Sequence, residues 1–163
     1  MNERQLLAMH ESAHAVAAVV EGVEVGLVSL DPPECRTRPA AGWVAMAEDE
    51  HKYLPADSRD PAIARHARIF MAGALVDARF GEVPVDGDDL MHISRLIDWL
   101  DLHVDKFINC EELYFERLRD QTIRLIAENG EAIHAVAAEL LRCGQLTGAA
   151  VRRIVALAHR WPT

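Results

Sequence analysis

Residues 10–14 read His-Glu-Ser-Ala-His. On a helix, positions four apart share a face, so His10 and His14 can turn both imidazoles toward one metal ion. Glu11, one position on from His10, can bring its carboxylate beside a water at the metal without ligating the metal itself. Metal-assisted peptide hydrolysis needs these parts: a metal that polarises the scissile carbonyl and acidifies water, and a base that carries the proton to the leaving amine. Zinc suits an imidazole-based ligand set. The plainer alternative is two ordinary polar histidines on a helix surface. The small or apolar neighbours Leu6, Leu7, Ala13 and Ala17 favour a site over that alternative.

A catalytic zinc keeps three protein ligands and one open position, and no third ligand is local. A further histidine six residues after the second would fall at position 20, which is Val20. Glu34 follows two prolines, and Glu21 and Glu24 flank the end of the helix. Asp86, Asp88 and Asp89, at a later helix start, are better placed, although carboxylates also favour a first turn as caps. The residues alone leave these three aspartates open.

The elements that must position this chemistry are mostly helical. Asn2 and Gln5 form a capping-box-like start for a helix that runs to Glu21 and stops at Gly22. Alternation at Val23, Val25 and Leu27 predicts a strand to about Leu30, and residues 43–47 predict a second. Asp60-Pro61 reads as an N-cap and first helical residue; Ile63, Ala67, Phe70, Ala74 and Ala78 follow at helical spacing until Gly81. A helix from about Asp88 carries Leu90, Ile93, Leu96, Ile97 and Leu100 on one side. Helix then continues to about Asn129-Gly130, after a bend near His103. Another spans residues 131–143, ended by Gly144, and Thr147 caps a last one reaching about His159. The expected fold is mainly α (α+β): a helical bundle with a two- or three-stranded β element beside the zinc-motif helix, in a single domain over residues 1–163.

Composition narrows the function class. The 163 residues are 50% hydrophobic and 26% charged, enough for one core without staples. A net charge of −9 argues against nucleic acid or an anionic membrane as the main partner. Cys35, Cys110 and Cys143 are dispersed and odd in number, which fits neither a disulfide framework nor a thiolate metal site and points to a reducing cytosol. No run approaches the ~20 apolar residues of a membrane span, and the opening residues lack the basic-then-apolar layout of a signal peptide.

Taken together, these segments resemble the protease domain of the FtsH family, the AAA-coupled zinc proteases, over nearly the whole chain. Glu3 through Ala8 lead to His10-Glu-Ser-Ala-His-Ala15, as in the family's opening Glu-x-x-x-x-Ala-x-His-Glu-x-Gly-His-Ala pattern. Val25 to Pro33 and Gly42-Trp-Val-Ala-Met-Ala-Glu48 are similar to its two strands. Ala72-Gly-Ala-Leu-Val-Asp-Ala-Arg-Phe-Gly-Glu82 resembles its Gly-Gly-Arg-Ala-Ala-Glu-Glu helix. Ala127-Glu-Asn-Gly-Glu-Ala132 and Leu140-Leu-Arg-Cys-Gly-Gln-Leu-Thr-Gly148 resemble its C-terminal helices.

Gly87-Asp-Asp-Leu90 resembles the segment whose aspartate is the family's third zinc ligand, and matching its Asp-Leu pair implies Asp89. Asp77 stands where the family often has a glutamate near the site. Three departures stand out: Ala13 replaces the glycine of the zinc motif, the stretch from Asp89 to Glu131 is shorter, and the 163 residues hold no Walker A motif.

The resemblance implies a zinc endopeptidase acting on unfolded or flexible polypeptide, with His10, His14 and Asp89 as ligands and Glu11 as base. Its action would be ATP-independent or served by a separate AAA ATPase partner, and it leaves room for a homo-oligomer. The alternative is a catalytically silent zinc-binding interaction domain derived from the same family. His92, three residues after Asp89, reads as a helix-surface residue, with a supporting group near the metal or an alternative ligand as the other reading. His66, His103, His134 and His159 read as structural or solvated. Trp43 and Met46 lie on a strand whose family counterpart borders the substrate cleft, and they serve equally well as core.

Overall fold

The computed structural model describes residues 1–31, 43–46, 56–80 and 110–159. Within them lie five helices, α1 (Glu3–Val20), α2 (Ala56–Arg79), α3 (Cys110–Glu128), α4 (Gly130–Cys143) and α5 (Gly148–Ala158), and three strands, β1 (Val25–Ser29), β2 (Trp43–Met46) and β3 (Gln145–Thr147). The fold is mainly helical with a small antiparallel sheet, as its periodicity predicts.

Local chemistry starts α1 where expected. The Asn2 side chain accepts from the Gln5 amide at 2.9 Å, and the Gln5 side chain accepts from the Asn2 amide at 2.9 Å, so two end donors are satisfied reciprocally. At the other end Glu21 is the cap and Gly22 turns the chain with φ +74°. Between them every residue from Leu6 to Ala18 is buried. A helix covered on all sides is a central element, not a surface one. It packs mainly against α2 and α4, with α5 and the sheet also in contact.

The sheet has the order β2-β1-β3. Val25 pairs with Met46 and Ser29 with Trp43, with a register shift between Val25 and Leu27. Leu27 pairs with Thr147 and Ser29 with Gln145 on the other side. The strand β3 carries no sequence signal: three residues between a helix end and a helix cap are too few to show alternation. Only pairing with β1 makes it a strand.

One helix start differs from expectation. Asp60-Pro61 is not the beginning of α2, which opens at Ala56 and runs through the proline. Proline has no amide hydrogen, so it forgoes one bond, to the carbonyl four residues back, while the rest of the turn continues. The C-terminal elements match closely. Gly144, at φ +78°, ends α4, and the Thr147 hydroxyl accepts from the Ala150 amide at 3.3 Å to cap α5. The helix expected from Asp88, with Leu90, Ile93, Leu96, Ile97 and Leu100, lies outside the described residues, as do Gly81 and His103.

The main core joins α1, β1, α4 and α5 through residues such as Val16, Val28, Ile133, Leu140 and Val151. A second cluster, Ile63, Ala67, Met71 and Leu118, holds α2 to α3. From the middle of α2, Arg68 ties the end of α1 to α3. Its guanidinium bonds both Glu21 carboxylate oxygens, at 2.6 and 2.8 Å, and the Gln121 side chain at 3.1 Å. None of the helices among the described residues is long and apolar enough to cross a membrane.

Candidate metal centre

The motif residues come from the middle of α1, and each is buried: His10 is 2% exposed, Glu11 4% and His14 6%. Polar side chains at such positions need partners, and α2 supplies them. The Asp77 carboxylate, itself fully buried, accepts from His10 Nδ1–H at 2.9 Å. The Ile69 carbonyl accepts from His14 Nδ1–H at 2.7 Å. As α1 advances from residue 10 to 14, its partners on α2 fall from 77 to 69, so the two helices pass in opposite senses. Ile69, Gly73 and Asp77 are spaced by four and share one face of α2.

These bonds fix the tautomers. A carbonyl oxygen only accepts, so the proton of His14 sits on Nδ1, and the carboxylate beside His10 places its proton on Nδ1 as well. Each ring then turns its Nε2 toward the other. The two Nε2 atoms stand 3.0 Å apart, with ring centroids 4.6 Å apart and planes at 82°. At that distance two imidazole nitrogens can share a proton or lie against one cation. Zinc–nitrogen bonds of about 2.0–2.1 Å at a tetrahedral angle hold two nitrogens about 3.3 Å apart, close to what the rings already show. The donor set thus fits a divalent metal of zinc's preferences. The partners on the Nδ1 side, one carboxylate and one backbone carbonyl, are those that metal-ligating imidazoles ordinarily have.

Glu11 keeps a carboxylate in the same buried layer of α1 as the imidazoles, a rare location for that side chain. On the α2 side, Phe70 meets the His14 ring edge-on, with centroids 6.4 Å apart.

The third ligand expected at Asp89 lies outside the described residues, together with Asp86, Asp88, His92 and Glu34. Among the described residues no group of three or more His, Cys, Asp or Glu stands together to hold a metal ion. His134 and His159 are exposed. His66 is buried on α2, its Nδ1 donating to the Ala62 carbonyl at 2.9 Å, a structural arrangement within one helix. Cys143 is a free, exposed thiol. For β2 the backbone pairing places Trp43 opposite Ser29 and Met46 opposite Val25.

Two contributors escape the sequence. The Ile69 carbonyl is backbone and leaves no trace in residue type. Gly73 leaves a faint one, since it sits four residues before Asp77 and four after Ile69, on the face that carries both partners. In comparisons with known proteins, no family model and no curated protein matches the chain.

Proposed function

We propose that this chain is a zinc-dependent endopeptidase of the FtsH-like kind, acting on unfolded or flexible polypeptide. What carries the reading is the convergence of His10 and His14 Nε2 at 3.0 Å while both Nδ1 atoms donate to partners on α2. That arrangement brings the Nε2 atoms of two imidazoles to one point inside the protein, next in sequence to a buried glutamate. Ordinary helix-surface histidines would face water instead.

In this reading His10 and His14 hold zinc through Nε2, and Asp89 is the third ligand. When bound, the metal supplies Lewis acidity that polarises a peptide carbonyl and makes a nearby water easier to deprotonate. Asp77 and the Ile69 carbonyl hold the rings in the tautomer that leaves Nε2 unprotonated. The Glu11 carboxylate takes a proton from the attacking water. The water oxygen adds to the carbonyl carbon, the C–N bond breaks, and Glu11 returns the proton to the leaving amine nitrogen. Among the described residues β2 pairs only with β1, so its outer backbone edge suits strand addition by an extended peptide. Folded substrates resist such pairing, which favours unfolded chains, delivered freely or by an ATPase on another chain.

The test joins metal content to turnover. Zinc per chain is measured by mass spectrometry on protein purified without chelator or nickel, for wild type, Glu11→Gln, Asp89→Ala and Asp88→Ala. Cleavage of a labelled unfolded protein is followed in parallel. The expected result is about one zinc in wild type and Glu11→Gln, clear loss in Asp89→Ala, and cleavage lost in Glu11→Gln and Asp89→Ala. Zinc retained without cleavage of any unfolded substrate would make the chain a zinc-binding interaction domain. Failure to retain even added zinc, with the fold intact, would end the metal reading.

A further inference from the structure

Gly73 lies inside α2 with no positive φ, so backbone freedom is not what it supplies. A mid-helix glycine ordinarily weakens a helix relative to alanine, which makes its presence here a question of space. A Cβ on Gly73 would overlap His14 Nε2 and lie 2.6 Å from His14 Cε1 and 2.7 Å from His10 Cε1. All three nearest atoms belong to the two candidate ligands. By contrast, a Cβ on Gly22 or Gly130 would meet nothing within 4 Å.

The same bare position serves the tautomer of His14. In an α-helix the Ile69 carbonyl points toward the amide of residue 73, and His14 Nδ1 reaches that carbonyl at 2.7 Å. A side chain at position 73 would stand beside this approach. We infer that Gly73 is a positioning residue of the site: by lacking a side chain it lets the α2 backbone come against both imidazoles, keeps their Nε2 atoms together, and opens the Ile69 carbonyl to His14. Its consequence for metal binding rests on the zinc reading above; the contact with the imidazoles does not.

The experiment is a set of urea unfolding curves on metal-free protein: wild type, Gly73→Ala, His10→Ala/His14→Ala, and the triple variant. With both histidines present, Gly73→Ala lowers the unfolding midpoint. Once both rings are gone, the same change raises it, because the ordinary helix preference for alanine returns. That reversal of sign is what a role played through the imidazoles requires. A Gly73→Ala protein too unstable to isolate, rescued by removing the two rings, supports the same role. A Gly73→Ala change that destabilises equally in both backgrounds, or in neither, overturns the assignment.

A second readout separates positioning from packing. Folded Gly73→Ala is titrated with zinc alone, and the ring nitrogens of His14 are followed by nitrogen NMR in the metal-free state. Loss of the Nδ1–H pattern, with at least tenfold weaker zinc binding, is expected. Wild-type ring signals and affinity in Gly73→Ala would overturn it. If wild type itself binds no zinc, the metal reading fails while the reversal of sign still decides the role of Gly73.

Discussion

His10 Nδ1 lies 2.9 Å from Asp77 Oδ2, and the two side chains are 2% and 0% exposed. A residue 67 positions away in the chain thus sets which nitrogen of His10 carries its proton. The motif residues supply the imidazoles, and α2 sets how they are oriented.

Asp77→Asn should therefore weaken zinc binding by about 10–100-fold while leaving helix content unchanged, the usual consequence of losing a carboxylate behind a metal-ligating imidazole. Competition against a chromophoric chelator reads the affinity directly. Wild-type affinity in this variant would reduce Asp77 to packing.

Gly148 separates two kinds of glycine. A Cβ there would overlap the Val25 carbonyl oxygen and approach its carbonyl carbon to 2.6 Å, so the start of α5 is pressed onto β1. Backbone of a paired strand yields poorly, and Gly148→Ala should destabilise by about 2 kcal/mol or more. Gly130→Ala, which meets nothing within 4 Å, should be neutral or slightly stabilising. Urea midpoints of the two variants check the contrast.

The Arg68–Glu21 pair is largely withdrawn from water, with side chains 17% and 14% exposed. Removing one partner leaves the other partly desolvated, so Arg68→Met or Glu21→Gln should each lower stability by about 1–2 kcal/mol. The double variant Arg68→Met/Glu21→Gln should recover part of that loss. Strict additivity in a double-mutant cycle would show that the pair is not coupled.

At the surface, hydrogen bonds from the Arg142 guanidinium hold the Glu139 carboxyl at about 2, below its ordinary 4.5. The folded value is the lower one, so the pair contributes stability that is complete above pH 4.5 and is lost as pH falls through about 2. Both groups are open to solvent, so the effect is small and screened by salt. Wild type and Glu139→Gln should differ in urea midpoint near neutrality and converge toward pH 2. A gap that persists at the acid end would point to another origin.

Much of this fold is written in short-range signals. The Asn2–Gln5 capping box, the stops at Gly22 and Gly144 and the Thr147 cap are local contests for backbone hydrogen bonds, decided within a few residues, and each falls where its residue types predict. The paired histidines of α1 are equally legible, because helical spacing alone puts positions 10 and 14 on one side. Strand β3 and the start of α2 at Ala56 are not. A three-residue strand exists only through its partner, and Asp60-Pro61 marks a local helix start that α2 passes over.

For the site, residue type and spacing determine a possible donor pair and an adjacent base. Tertiary structure decides whether those donors face water or each other, which nitrogen of each ring meets the second helix, and how closely the rings can approach. Those properties depend on Asp77, the Ile69 carbonyl and the bare α-carbon of Gly73, all on a second helix. Desolvation and hydrogen-bond geometry act through space, and only the packing of α2 against α1 brings them to bear on His10 and His14.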